Sequence, residues 1–297
     1  MERLTYRIQH STNYHYASPV RICHNLVMLT PRSDAFTEVL SHRIQIRPNP
    51  PILNRHEDYF GNLVHAFSIE DSHRQLTVTS TGRVRVTSRS VEEASPSWNE
   101  VRSQIASQAD PRWLDACRFA FNSPRIRVAP EYAKYAAPSF RQDRDILDAA
   151  RDLTSRIYSD FKYDTKATTV DTPTSVAFSL RKGVCQDFSH IQIACLRSLG
   201  LCARYVSGYL RTTPAPGKPR LVGYDQSHAW ISLYCGHDLG WVDFDPTNNC
   251  IANNNHIPIA WGRDYTDVTP IRGVFLGGGE HRMEVSVDVC PIASEDV

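Results

Sequence analysis

The stretch Gly183-Val184-Cys185-Gln186-Asp187-Phe188-Ser189-His190, with the apolar residues after it, constrains this chain more than any other. Phe188, Ile191, Cys195 and Leu199 recur at helical spacing, and Gly200 is a suitable C-cap. The sequence therefore predicts a helix that starts at or near Cys185 and ends at Leu199-Gly200. A helix start is a distinctive place for a thiol, because the free N–H groups and the positive dipole end favour a thiolate there. Downstream lie Ser227-His228-Ala229-Trp230 and Gly240-Trp241-Val242-Asp243-Phe244-Asp245-Pro246-Thr247. A nucleophile, a base and an orienting carboxylate thus follow in order.

The flanking segments suggest what the helix packs on. Cys202 to Leu210, His228 to Tyr234 and Gly240 to Asp245 read as strands, with a Pro- and Gly-rich loop from Thr213 to Pro219 and a terminal strand over Val285 to Val289. A helix followed by an antiparallel sheet implies an α+β domain. Upstream, a helix is expected over about Asp143 to Tyr158, facing inward through Ile146, Leu147, Ala150, Leu153, Thr154 and Ile157. Asp171-Thr172-Pro173 should open a short helix through Leu180.

Residues 1 to about 90 look all-β. Leu4 to Ile8, Ile22 to Leu29, Val39 to Ile46, Val64 to Ile69 and Leu76 to Val86 are β-rich runs, and Ser18-Pro19, Pro48-Asn49-Pro50-Pro51 and Phe60-Gly61-Asn62 are turn signals between them. The expected partition is an N-terminal β-sandwich domain over 1–92, a helical connector over 93–140 and a catalytic domain over 141–297, with the boundary in the polar Glu92 to Ser97.

Composition narrows the partners. The 297 residues are 41% hydrophobic and 22% charged, with a formal net charge of +1 from scattered Lys and Arg. That balance argues for a globular protein and against nucleic acid or a membrane surface as partner. No apolar run approaches the roughly 18 residues of a membrane span. The N-terminal Met1 to Arg7 lacks the apolar core of a signal peptide. Eight dispersed cysteines without a C-x-x-C pair suit reduced thiols, so a cytoplasmic location is expected. Neither a metal nor another cofactor is expected, since zinc and EF-hand spacings are missing and Gly277-Gly278-Gly279 lacks a phosphate-loop context.

Taken together, Gly183-Val184-Cys185-x-Asp187-Phe188, Leu201-Cys202-Ala203-Arg204-Tyr205-Val206-Ser207-Gly208-Tyr209, Ser227-His228-Ala229-Trp230 and Gly240-Trp241-x-x-Phe244-Asp245-Pro246-Thr247-Asn248 resemble the transglutaminase-like superfamily. They are closest to its bacterial two-domain branch of proposed cysteine proteases. Tyr6-x-Ile8 with Leu29-Thr30-Pro31-Arg32 is similar to that branch's N-terminal β domain, and Gly262-Arg263-Asp264-Tyr265-x-Asp267-Val268 to its C-terminal signature. The resemblance implies a papain-like domain in which Cys185 is the nucleophile, His228 the base and Asp245 the orienting acid. Asp243 shares a strand face with Asp245, so periodicity alone leaves both open. The implied reaction is cofactor-free hydrolysis of a peptide or amide bond in a peptide or protein substrate, through a thioester. Transfer of the acyl group to an amine, as in protein cross-linking, is the alternative, and a non-catalytic peptide-binding scaffold a third. Gln186, Tyr209, Trp230, Trp261 and Asp264 are candidates for lining the cleft, against core packing for the tryptophans and turn formation for Asp264. Asp187 is read as a first-turn stabiliser of the helix in preference to a catalytic group.

Overall fold

A computed structural model describes residues 2–88, 94–107, 113–212 and 225–292. The chain opens with strands β1 (Arg3–Val27), β2 (Thr37–Arg47), β3 (Leu53–Glu57), β4 (Leu63–Ile69) and β5 (His73–Thr87). The runs expected over Leu4 to Ile8 and Ile22 to Leu29 are one strand of 25 residues, and Ser18-Pro19, expected to turn, lies inside it. The register against β5 slips between His15 and Val20, so the sequence signal marks a bulge and not a reversal. Before that slip β1 pairs β5; after it, from Cys23 to Val27, it pairs β4. The two halves close over Tyr16, Val20, Cys23, Val27, Phe67, Ile69, Leu76 and Val78, giving a sandwich-like half-barrel.

Three short helices follow, α1 (Trp98–Ser107), α2 (Leu114–Cys117) and α3 (Pro130–Ala136), then α4 (Ile146–Asp160). The pair β6 (Lys162–Tyr163) and β7 (Lys182–Gly183) brackets α5 (Thr174–Leu180) and leads directly into α6 (Cys185–Ser198). Beyond it β8 (Ala203–Leu210), β9 (Gln226–Tyr234), β10 (Trp241–Asp245), β11 (Cys250–Ile251) and β12 (His256–Gly262) form an antiparallel sheet ordered β11-β10-β9-β8-β12. The loop expected from Thr213 to Pro219 and the boundary residues Glu92 and Glu93 lie outside the described residues.

Helix α6 sits at the centre, with every residue from Asp187 to Arg197 buried. Among its polar members, Gln192 donates to Thr154 Oγ1 at 2.7 Å, and Arg197 to the carbonyls of Phe121, Ala203 and Arg263. One apolar core joins α4 and α6 to Leu233 and Phe244 of the second sheet and to Tyr6, Ile8, Val84 and Val86 of the first.

The C-terminus departs from the expected partition. Strands β13 (Ile271–Gly277) and β14 (His281–Ile292) leave the second sheet and pair antiparallel with β1 along its second edge. A strand as long as β1 exposes a row of N–H and C=O groups on each side, and the chain end satisfies the row that β4 and β5 leave open. The turn between β13 and β14 is Gly277-Gly278-Gly279, all at positive φ (97°, 81° and 62°).

Candidate active site

Cys185 is the first residue of α6 and half-buried. Its position is fixed by Asp187, whose Oδ2 accepts from the Val184 N–H at 2.9 Å and from Thr168 Oγ1 at 2.7 Å. Asp187 is 2% exposed and ties the helix start to the preceding loop. Gly183 is required here, because a Cβ would come within 2.7 Å of the Asp187 Cβ. The amide of Cys185 is among the first N–H groups of the helix, which have no intrahelical acceptor.

His228 comes from β9, opposite Gly208 of β8, and is buried. Its Nε2 lies 2.7 Å from Asp245 Oδ2 and 3.3 Å from Asn248 Nδ2, and the Cys185 thiol is close enough to favour its charged form. With Nε2 given to the carboxylate, Nδ1 is the nitrogen left for the thiol. Burial is the largest influence on the imidazole and works against its charge, but hydrogen bonds and charges from Asp245 and Cys185 outweigh it and push His228 up to about 10. Asp245 is fully buried, which favours its neutral form; bonds from His228 and His256 nevertheless hold it well below the usual carboxylate range. Its Oδ1 accepts the backbone N–H groups of Thr247 (2.9 Å) and Asn248 (3.1 Å), an Asx-type turn, and its Oδ2 the Asn248 side chain at 2.6 Å. The other strand-face carboxylate has a different partner: Asp243 Oδ2 accepts from Trp230 Nε1 at 2.8 Å.

A trough of about 850 Å³ opens beside His228, bordered by Tyr163, Thr212, Asp225, Asn248, Val285 and Val287 among others. Val285 and Val287 belong to β14, so the chain end supplies one wall. Asp225 ties that wall down by accepting the Val289 N–H at 2.7 Å on one oxygen and the Thr212 N–H at 2.7 Å on the other. Burial raises the Tyr163 phenol, and the nearby Cys185 adds to the shift. Burial also pushes up the thiols of Cys23, Cys117, Cys195 and Cys202, and that of Cys250 to about 11.

Residues 133–246 match the transglutaminase-like superfamily, and residues 6–85 the bacterial transglutaminase-like N-terminal region. Uncharacterised proteins of Mycobacterium tuberculosis and Mycobacterium leprae are 38% and 34% identical to this chain, over 98% and 97% of it and 94% and 99% of their own lengths. The chain belongs to the transglutaminase-like superfamily. Its fold matches that of a proposed cysteine protease from Cytophaga hutchinsonii with a TM-score of 0.78 at 19% identity, over 99% of this chain and 92% of the other.

Not every residue picked out by the superfamily resemblance reaches the trough. Gln186 Nε2 donates to the Val170 carbonyl at 3.1 Å. Tyr209 is buried, its hydroxyl 2.9 Å from His10 Nδ1. Trp230 is buried on Asp243, and with Trp261 it lines a separate cavity. Asp264 is fully buried and accepts the N–H groups of Arg125 and Thr266, both at 2.8 Å. Around it, Tyr265 N–H donates to His190 Nε2 and Arg263 to Asp267, so this part of the superfamily signature fastens the middle of α6.

Three neighbours of the site were not singled out from the sequence. Asn248 is signalled by the Asp245-Pro246-Thr247-Asn248 turn, whereas Tyr163 has no signal. His256, eleven positions beyond Asp245, has none either; its Nε2 lies 3.1 Å from Asp245 Oδ2. His228, Asp245 and His256 bring three possible metal-ligand atoms within 4.8 Å of one another. The Asn253 N–H donates to His256 Nδ1, which leaves the His256 proton on Nε2, facing Asp245. Both imidazoles thus turn Nε2 on the carboxylate, a pattern of hydrogen bonding that occupies all three groups. No helix among the described residues is long and apolar enough to cross a membrane.

Proposed function

We propose that this protein is a cysteine-dependent hydrolase of peptide or amide bonds, with Cys185 as nucleophile, His228 as acid and base, and Asp245 as the carboxylate that orients the imidazole. One observation carries the reading: a buried histidine is bonded to a buried carboxylate and has its charged form favoured by a thiol at a helix start. Membership of the transglutaminase-like superfamily and the fold shared with a proposed cysteine protease support a cysteine-dependent enzyme at the coarser level.

The chemistry follows from the two states of the pair. Sγ of Cys185 attacks the carbonyl carbon, and the resulting oxyanion is met by the Cys185 amide at the helix start. Collapse breaks the C–N bond as His228 gives its proton to the departing amine, leaving a thioester. Water then attacks the thioester, His228 takes a proton from it, and the carboxylic acid leaves with the thiolate restored. Asp245 keeps the imidazole turned toward sulfur throughout. The trough beside His228, with Val285 50% and Tyr163 45% exposed at its rim, is open to solvent, so water can approach the imidazole that activates it.

The test is turnover of a peptide and carboxamide library by wild type and Cys185→Ala, with products resolved by mass spectrometry in the presence and absence of a primary amine. Free acid as the product, and its loss in Cys185→Ala with the circular dichroism spectrum unchanged, is the expected result. Turnover surviving in Cys185→Ala would rule out the thioester route. A new amide in place of free acid would make the protein a transferase.

A further inference from the structure

Trp230, Trp241 and Trp261 face a cavity of about 380 Å³ between the second sheet and the Asp34–Thr37 segment of the first. It is distinct from the trough beside His228 and lies within the size range of small-molecule sites, roughly 300–1,000 Å³. Arg204 of β8 reaches it between two of the indoles. Its guanidinium carbon lies 4.2 Å from the Trp241 ring centre and 3.7 Å from that of Trp261. Arg32 stacks on Trp261 at 3.6 Å, necessarily on the opposite face, so cations and rings alternate in the order Arg32, Trp261, Arg204, Trp241.

The two arginines differ in what they bond. Arg32 donates to Asn62 Oδ1 at 2.6 Å and to the Phe60 carbonyl. The side chain of Arg204 makes no hydrogen bond to another described side chain or carbonyl; its Nε, like that of Arg32, is buried without a partner, and its half-buried guanidinium end faces the cavity. A guanidinium carries five donors, and those of Arg204 that face the cavity are open to an acceptor brought by a ligand. Two carboxylates share the cavity, yet neither meets Arg204 in a hydrogen bond. Asp243 gives Oδ2 to Trp230 Nε1, and Asp34 gives Oδ1 to the N–H groups of Phe36 and Thr37. The second oxygen of each is left for a donor from elsewhere.

A simple anion would answer Arg204 but face two carboxylates, and a simple cation would face the guanidinium. A small molecule with both charges answers all three groups. We propose that this cavity binds a zwitterion of the α-amino-acid type, its carboxylate on Arg204, its ammonium on Asp34 and Asp243, and its side chain against the faces of the indoles. The site is independent of the thiol chemistry proposed above, although His256 lies in its wall and reaches Asp245 on the other side.

Three of the five tryptophans line the cavity, so intrinsic fluorescence reports its occupancy. Wild-type protein is titrated with the common L-amino acids, and the tightest binder is compared with its N-acetyl and amide derivatives, which lack the ammonium and the carboxylate respectively. Saturable binding by at least one amino acid is expected, with each blocked derivative at least ten-fold weaker. Arg204→Met should abolish binding and Asp243→Asn weaken it, in protein checked for unchanged secondary structure. The comparison of derivatives needs no variant, so it stands if Arg204→Met fails to fold. No saturable change with any amino acid overturns the proposal. An N-acetyl derivative that binds as well overturns it in favour of an anion site, and an amide that binds as well overturns it in favour of a cation site.

Discussion

A histidine that keeps its proton up to about pH 10 is charged at neutral pH, which suits it to stand as the cation beside a thiolate. The expected consequence is selective reactivity. Iodoacetamide at about pH 6.5 should modify Cys185 ahead of the other seven cysteines, and His228→Ala should slow that modification at least ten-fold. Peptide mapping reads both, and equal labelling of Cys185 in the two proteins would dissolve the pair. The same couple sets a pH dependence of stability. His228 is raised above its ordinary 6.5, so its contribution is whole below that value and lost as pH climbs toward about 10. Asp245 is depressed below its ordinary 3.8, so its contribution is whole above that value and shrinks in stronger acid. The drop in melting temperature caused by Asp245→Asn should therefore be largest around pH 5–6 and narrow steadily toward pH 10. A drop that stayed constant over that range would show that the charge pair adds nothing to stability.

At the scale of single elements, α6 holds the thiol in place only as firmly as its first turn is anchored. Asp187 closes that turn on Val184 and Thr168 from a buried position. Asp187→Ala removes a cap and leaves buried donors unpaired, and should cost about 2 kcal/mol by denaturant unfolding. A variant with unchanged stability but no turnover would instead put Asp187 among the reacting groups. Strand β9 shows how register works at this scale. His228 and Trp230 share one face of β9, Asp243 and Asp245 one face of β10, and the ladder pairs Asp243 with Ser232 and Phe244 with Ile231. The carboxylates then reach their partners on a diagonal, Asp243 to Trp230 and Asp245 to His228.

Across the whole molecule, the chain end decides more than its length suggests. Strands β13 and β14 complete the sheet begun by β1, and β14 walls the trough through Val285 and Val287. Ending the chain after Pro270 would uncover both halves of β1 and release the Asp225–Val289 tie. The expected product is insoluble, or lacks a cooperative unfolding transition. A truncated protein that melts like the full chain would make the C-terminal strands an accessory.

The local and periodic features of the fold were legible in the sequence because they depend on neighbours a few positions away. The start of α6 at Cys185, its end at Gly200, the inward face of α4 and the turn at Gly277–Gly279 all follow from spacing, caps and backbone freedom. Ser18-Pro19 was misleading for a related reason: a turn signal and a bulge signal use the same residues, and only the pairing of β1 with two partners on either side tells them apart. What joins distant positions was fixed by packing alone. Asp243 and Asp245 are equivalent by periodicity, and the β9–β10 register separates them. His256 at the start of β12 meets Asp245 although β9 and β8 separate their strands, Arg204 meets Trp241 and Trp261 because β8 lies between the strands that carry them, and the last strands pair with the first because an unpaired edge is costly. Sequence named the helix that Cys185 opens; the tertiary structure chose its neighbours, since those contacts exist only once elements far apart in the chain share a core.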